Sequence, residues 1–275
     1  MALSFTSLNS GSNGNCYYLE NQNDAILVDA GITCRETEKR MSRLGLSMAK
    51  VRAIFVSHEH SDHIRGIPVI AKKYDLPVFI TDGTLKKCGF NLERRLLKTF
   101  KAHEAVQVGD LEIIAVPKFH DASDPHSFIV SCNGIKVGVF TDIGIPCENV
   151  IRYFSVCHAA FLEANYDEEM LENGRYPYHL KARIRGGNGH LSNKQALELF
   201  CHYGTHMSHL LLAHLSRDNN DPDRVLELFK ERSPGTEIIV ASREMESKVY
   251  HIPDSSSIPI ERKVKTECVQ YSLFS

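Results

Sequence analysis

The residues best able to do chemistry stand together in Ser57-His58-Glu59-His60-Ser61-Asp62-His63, directly after the apolar run Val51 to Val56. Imidazole is the commonest protein ligand for metals. On an extended chain His58 and His60 point to the same side, while Asp62 and His63 open the next helix and face a second position. One short loop can then feed two metal ions. Tight binding needs more donors than the loop supplies, and later strand ends offer three: His120 in Lys118-Phe119-His120-Asp121, Asp142 closing Phe140-Thr141-Asp142, and His214 after Leu210 to Ala213. Singly, each reads as a turn or cap residue; together they complete a binuclear site. The expected division gives one ion His58, His60 and His120, gives the other Asp62, His63 and His214, and lets Asp142 bridge. Two divalent ions and a bridging hydroxide, set against Asp62 and Asp142, leave a single positive charge to attract an anion such as a phosphodiester. Ions about 3.5–4 Å apart would activate the shared water, polarise a phosphoryl oxygen and steady the leaving oxygen. His and carboxylate donors suit zinc or manganese, and iron is compatible.

These donors need strand ends to carry them. Strand-like runs are Leu3 to Leu8, Cys16 to Glu20, Ala25 to Asp29, Val51 to Val56, Val78 to Thr81, Leu111 to Val116, Phe128 to Ser131, Val137 to Thr141, Ala159 to Glu163, Leu210 to Ala213 and Glu237 to Ala241. Helical stretches are expected at Thr33 to Leu44, Asp62 to Tyr74, Asn193 to Cys201 and Pro222 to Glu231. Strands interspersed with helices argue for sheets covered by helices. The 275 residues are read as one domain, with a possible C-terminal tail over 253–275. A hydrophobic share of 43% with 24% charged residues is ordinary globular composition and excludes a disordered or collagen-like chain. No apolar run is long enough for a bilayer, so no membrane role is expected. The eight cysteines are scattered without a C-x-x-C pair, which suits a reduced, cytoplasmic setting. Net charge is only -2, so a polyanion would have to be held locally.

The H-x-H-x-D-H loop with a later His, Asp and His resembles the metallo-β-lactamase superfamily, which implies an α/β fold built as a four-layer αββα sandwich. Leu8 to Asn15 (LNSGSNGN), Leu27-Val28-Asp29-Ala30-Gly31, Ser57 to Gly66, Phe161 to Tyr166 (FLEANY), Gly189 to Asn193 (GHLSN) and His214 to Asn220 (HLSRDNN) narrow the resemblance to its YycJ/WalJ branch. That branch is similar to RNase J and RNase Z. The resemblance implies a metal-dependent phosphodiesterase with 5'-to-3' exonuclease action on DNA, and carries the ligand role to His58, His60, Asp62, His63, His120, Asp142 and His214. It also places Glu163 and His190 near the scissile phosphate. Only 72 residues separate Asp142 from His214, too few for the large domain with which those nucleases clamp RNA, so processive RNA degradation is not expected.

Substrate contacts are sought in local charge. Arg175 to Lys194 holds Arg175, Lys181, Arg183, Arg185 and Lys194 without an acid, and leads into His190; Lys86 to Lys101 is similarly skewed. Arg183, Arg185 and Asn13, the last in the glycine loop Ser10 to Asn15, are the expected phosphate contacts. Asp62 is expected to hold the attacking hydroxide and take its proton, and His190 to stabilise the phosphoryl oxygens or protonate the leaving group. The partner implied is nucleic acid, DNA above RNA, with no obligate protein partner. The alternative is a thioesterase or lactonase, because the same water attacks acyl carbonyls; the basic segment and His190 argue against it. An iron-bearing redox protein would need a glutamate in place of His60, and a scaffold without turnover would not need all seven donors.

Overall fold

The computed structural model describes residues 3–89 and 92–253. Its first sheet is laid down by β1 (Leu3–Asn9), β2 (Cys16–Glu20), β3 (Ala25–Val28), β4 (Val51–Phe55), β5 (Val78–Phe79) and β6 (Leu97–Lys98), hydrogen-bonded in that order. The second is laid down by β7 (Ala105–Val108), β8 (Leu111–Pro117), β9 (His126–Cys132), β10 (Ile135–Phe140), β11 (Ala159–Glu163), β12 (His209–Ala213) and β13 (Glu237–Val240). β14 (Tyr250–Ile252) then returns to pair antiparallel with β1. The period of two decides the layering. Phe5, Tyr17, Val28 and Phe55 face Phe128, Val130, Val139 and Phe161 of the other sheet, while their neighbours Leu8, Tyr18, Leu27 and Ile54 point outward. Both faces being apolar, both must be covered.

Helices supply the cover. α1 (Cys34–Arg43), α2 (Ser61–Ile64), α3 (Ile67–Tyr74) and α4 (Asp82–Lys87) belong to the first half, and Met41, Ile67 and Ile70 pack on the outer face of its sheet. In the second half come α5 (Glu148–Phe154), α6 (Glu168–Asn173), α7 (Tyr178–Arg185), α8 (Asn193–Tyr203) and α9 (Pro222–Lys230), with Phe154, Phe200 and Phe229 against the other outer face. The result is the expected four-layer αββα sandwich. Among the described residues no helix is long and apolar enough to cross a membrane.

Two expected elements differ. The single helix from Asp62 to Tyr74 is broken at Arg65 and Gly66 into α2 and α3. The strand from Val78 ends at Phe79, because Thr81 turns to cap α4 by accepting from the Thr84 amide. Residues 254–275 of the expected tail lie outside the described residues.

Strand direction places the site. β3 and β4 run parallel, as do β10, β11 and β12, so their C-terminal ends gather at one edge of the sandwich. Asp29, Ser57, Asp142, Glu163 and His214 all stand at those ends.

Candidate metal centre

The histidine loop is shaped by backbone packed on backbone. Asn15 N–H donates to the Asp62 carbonyl at 2.7 Å, Ala30 N–H to the His63 carbonyl at 2.8 Å, and Gly66 N–H to the Ala30 carbonyl at 2.8 Å. A Cβ on Gly31 would stand 1.6 Å from the Asp62 carbonyl oxygen, and one on Gly66 2.0 Å from that of Ile32. Only glycine lets these segments touch. The close approach explains both the LVDAG segment and the break between α2 and α3. Asp29, Asp142 and His214 adopt left-handed backbone conformations, with φ of 58°, 54° and 56°.

Seven side chains converge at this edge. His60 Nδ1 lies 3.1 Å from His58 Nε2 and 3.3 Å from His120 Nε2. Three nitrogens so close together cannot all satisfy one another with a single shared proton, and they suit a cation. A second set forms where Asp62 Oδ2 lies 3.5 Å from both His63 Nε2 and His214 Nε2. Asp142 stands between the sets, its Oδ2 3.1 Å from His63 Nε2 and its Oδ1 3.8 Å from His120 Nε2. Asp142 Oδ2 and His214 Nε2 are buried and make no hydrogen bond among the described residues. Orphaned polar atoms at the middle of a donor cluster are the mark of a place for an ion. The donor set therefore fits divalent metal ions. His60 and Asp62 stay partly exposed, which leaves the centre open on one side.

Each buried imidazole is gripped from behind, as metal-ligating histidines are. Asp29 Oδ2 faces His63 Nδ1 at 2.7 Å and accepts from Ser57 Oγ, which meets His58 Nδ1 at 2.9 Å. His120 Nδ1 faces the Gly189 carbonyl at 3.0 Å, and Glu163 Oε1 faces His214 Nδ1 at 2.9 Å. Burial lowers His58 well below the usual imidazole range and lowers His120 to about 4. Burial opposes protonation of His214 too, but the Asp142 charge, with the nearby carboxylates of Asp62 and Glu163, pushes it up to about 10. Asp142, Asp29 and Asp62 likewise outweigh burial at His63 and hold it high. For Asp142 burial is outweighed by His214 and His63, which keep its carboxyl well below the ordinary range. The buried carboxylates thus favour positive charge at His63 and His214, a preference that divalent ions held at this cluster would also meet.

A family model described as a beta-lactamase superfamily domain matches residues 24–215. The chain belongs to the metallo-β-lactamase superfamily. It is 36% identical over 224 residues to the exodeoxyribonuclease YycJ of Bacillus anthracis, a match covering 80% of this chain and 85% of that one. The exodeoxyribonuclease WalJ of Streptococcus pneumoniae D39 is 30% identical over 222 residues, covering 78% and 82%. In fold the chain is similar to the metallo-β-lactamase fold protein YhfI of Bacillus subtilis, with a TM-score of 0.71 at 18% identity, over 91% of this chain and 100% of that one. By this kinship the protein is a metal-dependent hydrolase.

The remaining expected residues are placed unevenly on this metallo-β-lactamase frame. His190 stands beside the centre, its ring 5.2 Å from those of His120 and His214 and its Nδ1 2.8 Å from Glu163 Oε1. Glu163, expected at a substrate phosphate, is wholly buried; Oε1 serves His190 and His214, and Oε2 accepts from the Ile143 and Leu191 amides. Burial would raise its pKa, but the His190 charge and the two imidazole hydrogen bonds hold it at about 2. No oxygen is left for a phosphate, which its charge would repel. Arg183 is engaged by Asp121 at 2.5 Å and Arg185 by Glu172 at 2.9 Å. Asn13 is exposed, and its amide donates to the Arg243 carbonyl at 2.8 Å. Within the glycine loop the amides of Ser10, Gly11, Gly14 and Asn15 are bonded inside the protein, so the loop is less of a phosphate cradle than its composition suggests.

Sequence reasoning did not single out Asp29, Asn15 or Lys118. Asn15 Nδ2 donates to Asp62 Oδ2 at 3.1 Å and meets His63 Nε2 at 3.0 Å. Lys118 is buried, with Nζ donating to the Thr141 carbonyl at 2.5 Å, which ties the end of β8 to the turn carrying Asp142. A strand-end aspartate in LVDAG and an asparagine beside the glycine loop were the signals available.

Proposed function

We propose that the protein is a binuclear metal-dependent exonuclease that acts on DNA in the cytoplasm. The observation that carries the reading is the convergence of His58, His60, His120, Asp62, His63 and His214 around Asp142, with two buried atoms left unbonded. The kinship with the exodeoxyribonucleases YycJ and WalJ supports a phosphodiester over an acyl substrate. His58, His60, His120 and Asp142 would hold one divalent ion, and Asp62, His63, His214 and Asp142 the other. Zinc or manganese ions, with iron also compatible, would supply an activated water and a Lewis-acid pull on the phosphoryl oxygen.

The chain's own residues do the rest. Asp62 sits at the open side, steadied by Asn15, where its carboxylate can orient the attacking water and accept its proton. Glu163 holds the His190 ring through Nδ1, leaving Nε2 for a phosphoryl oxygen or the leaving group. Glu163 itself is a positioning residue.

The test is to incubate the metal-loaded protein with end-labelled single- and double-stranded DNA, RNA and a thioester, with His58→Ala as control. DNA shortened from the 5' end by the wild type alone is expected; cleavage confined to the thioester would overturn the reading. Asp62→Ala should abolish turnover, and near-normal turnover at wild-type metal content would remove Asp62 from catalysis.

A further inference from the structure

Arg183 and Arg185, on the sequence side leading into His190, are already neutralised by Asp121 and Glu172, whereas two guanidinium groups on the Asp62 side of the centre are not. Arg65, which ends α2 three residues after Asp62, donates to the Asn13 carbonyl at 3.0 Å. Arg243, after β13, donates through Nη2 to Ser12 Oγ at 3.2 Å. Both partners are neutral oxygens, and neither arginine forms an ion pair among the described residues. Arg243 Nη1 is shielded from solvent and has no hydrogen-bond partner among the described residues. A cationic donor stripped of water and left unbonded costs more than a neutral one, and it calls for an anion. Ser12 and Asn13 are exposed between the two arginines, and their backbone amides have no partner among the described residues.

The segment is held firmly to the centre. Asn15, two residues on, bonds the Asp62 backbone and side chain, and Ser10 Oγ accepts from the His214 amide at 2.8 Å. Asn13 Nδ2 in turn fixes the Arg243 carbonyl. Two guanidinium forks are therefore hydrogen-bonded to the Ser12–Asn13 stretch, whose two backbone amides are unpaired among the described residues, and donors of these kinds suit the tetrahedral oxygens of a phosphate.

Resting on the nuclease reading above, we infer that Arg243, Arg65 and the Ser12–Asn13 backbone form a second phosphate seat. It grips a phosphate of the bound strand other than the one being cut. This seat fixes strand register: cleavage occurs at the centre only when a neighbouring phosphate is docked on the loop. Arg183 and Arg185 of the basic segment, already paired with acids, are then not the main anchor.

The test uses the metal-loaded full chain and a single-stranded DNA whose terminal linkages are phosphorothioates that resist hydrolysis. Binding is read by fluorescence anisotropy across a salt series for wild type, Arg243→Gln and Arg243→Lys. Arg243→Gln should weaken binding about tenfold and flatten the log–log salt dependence by about one unit. Arg243→Lys, keeping the charge without the fork, should restore the slope but not the full affinity. One neutral methylphosphonate linkage, walked along the strand, should weaken wild-type binding at a single position, and that position should fall silent in Arg243→Gln. Equal salt slopes, or a methylphosphonate profile unchanged by the substitution, would overturn the seat while leaving the nuclease reading standing. Tight binding through Arg243 without cleavage of an unprotected strand would overturn the nuclease reading and keep the seat. Failure of the wild type to bind any strand would overturn both.

Discussion

Asn15 is neutral, yet it governs how a charged site is presented. Its Nδ2 donates to Asp62 and lies beside His63, while its Oδ1 accepts from the Gly11 amide at 3.0 Å and the Tyr17 hydroxyl at 3.2 Å. Every part of the amide is engaged, so the carboxylate it holds is fixed before an ion arrives. Removing such support behind a ligand commonly lowers metal affinity about 10–100-fold. Asn15→Ala should show that loss in competition with a chromophoric chelator; unchanged affinity would mean Asp62 needs no such support. At this scale the convergence of the seven side chains was legible, because histidine and aspartate at those spacings have few other uses. Asn15, Asp29 and Lys118 were not, since their importance lies in burial against the loop. That exists only once β1, β3 and β10 bring their ends together.

The short element α2 exists because glycines allow its carbonyls to lie against the turn after β3. Gly31→Ala would drive a methyl group into the Asp62 carbonyl, and the only relief is for the loop bearing Asp62 and His63 to move. Overpacking of this kind costs about 1–3 kcal/mol or more. The expected outcome is a lower thermal midpoint together with reduced metal binding; a stable variant that binds metal normally would show the backbone contact to be dispensable. A milder test lies at α8, where Ser192 accepts from the Gln195 amide and the Gln195 side chain returns to the Ser192 amide. Breaking this capping box with Ser192→Ala should cost about 1 kcal/mol in urea unfolding. The strands with continuous apolar runs and α1, α8 and α9 were readable from period alone. β7 was not, because three of its four residues are at least partly exposed, and α7 buries no residue fully, so neither carries a clear amphipathic signal. The break after α2 escaped for a different reason: Gly66 answers to a distant carbonyl, and no local pattern records that.

Across the whole molecule, acid should be the weak point. Burial lowers His126, His158 and His209 below the ordinary imidazole value of 6.5, although Asp124 and Glu237 pull His126 and His209 the other way. The unfolded chain protonates these rings near about 6.5, while the folded protein resists until lower pH. The contribution of these three rings to stability is therefore complete above about 6.5 and is lost as pH falls below it. Urea midpoints of the metal-free protein should drop between neutral pH and mildly acidic solution. His209→Phe, which keeps the ring contacts with Phe5 and Tyr250, should lessen the drop. An unchanged midpoint across that window would show that these rings are not held neutral.

The left-handed turns at Asp29, Asp142 and His214 carry a wider implication. A non-glycine residue held in that conformation costs about 1–3 kcal/mol, and here three such residues lie at one sandwich edge. Glycine at any of them would relax the chain and remove a donor or its support in the same stroke. Selection for hardiness alone would thus erode the reactive edge first, and the persistence of these strained side chains in a lineage would be a record of continuous use.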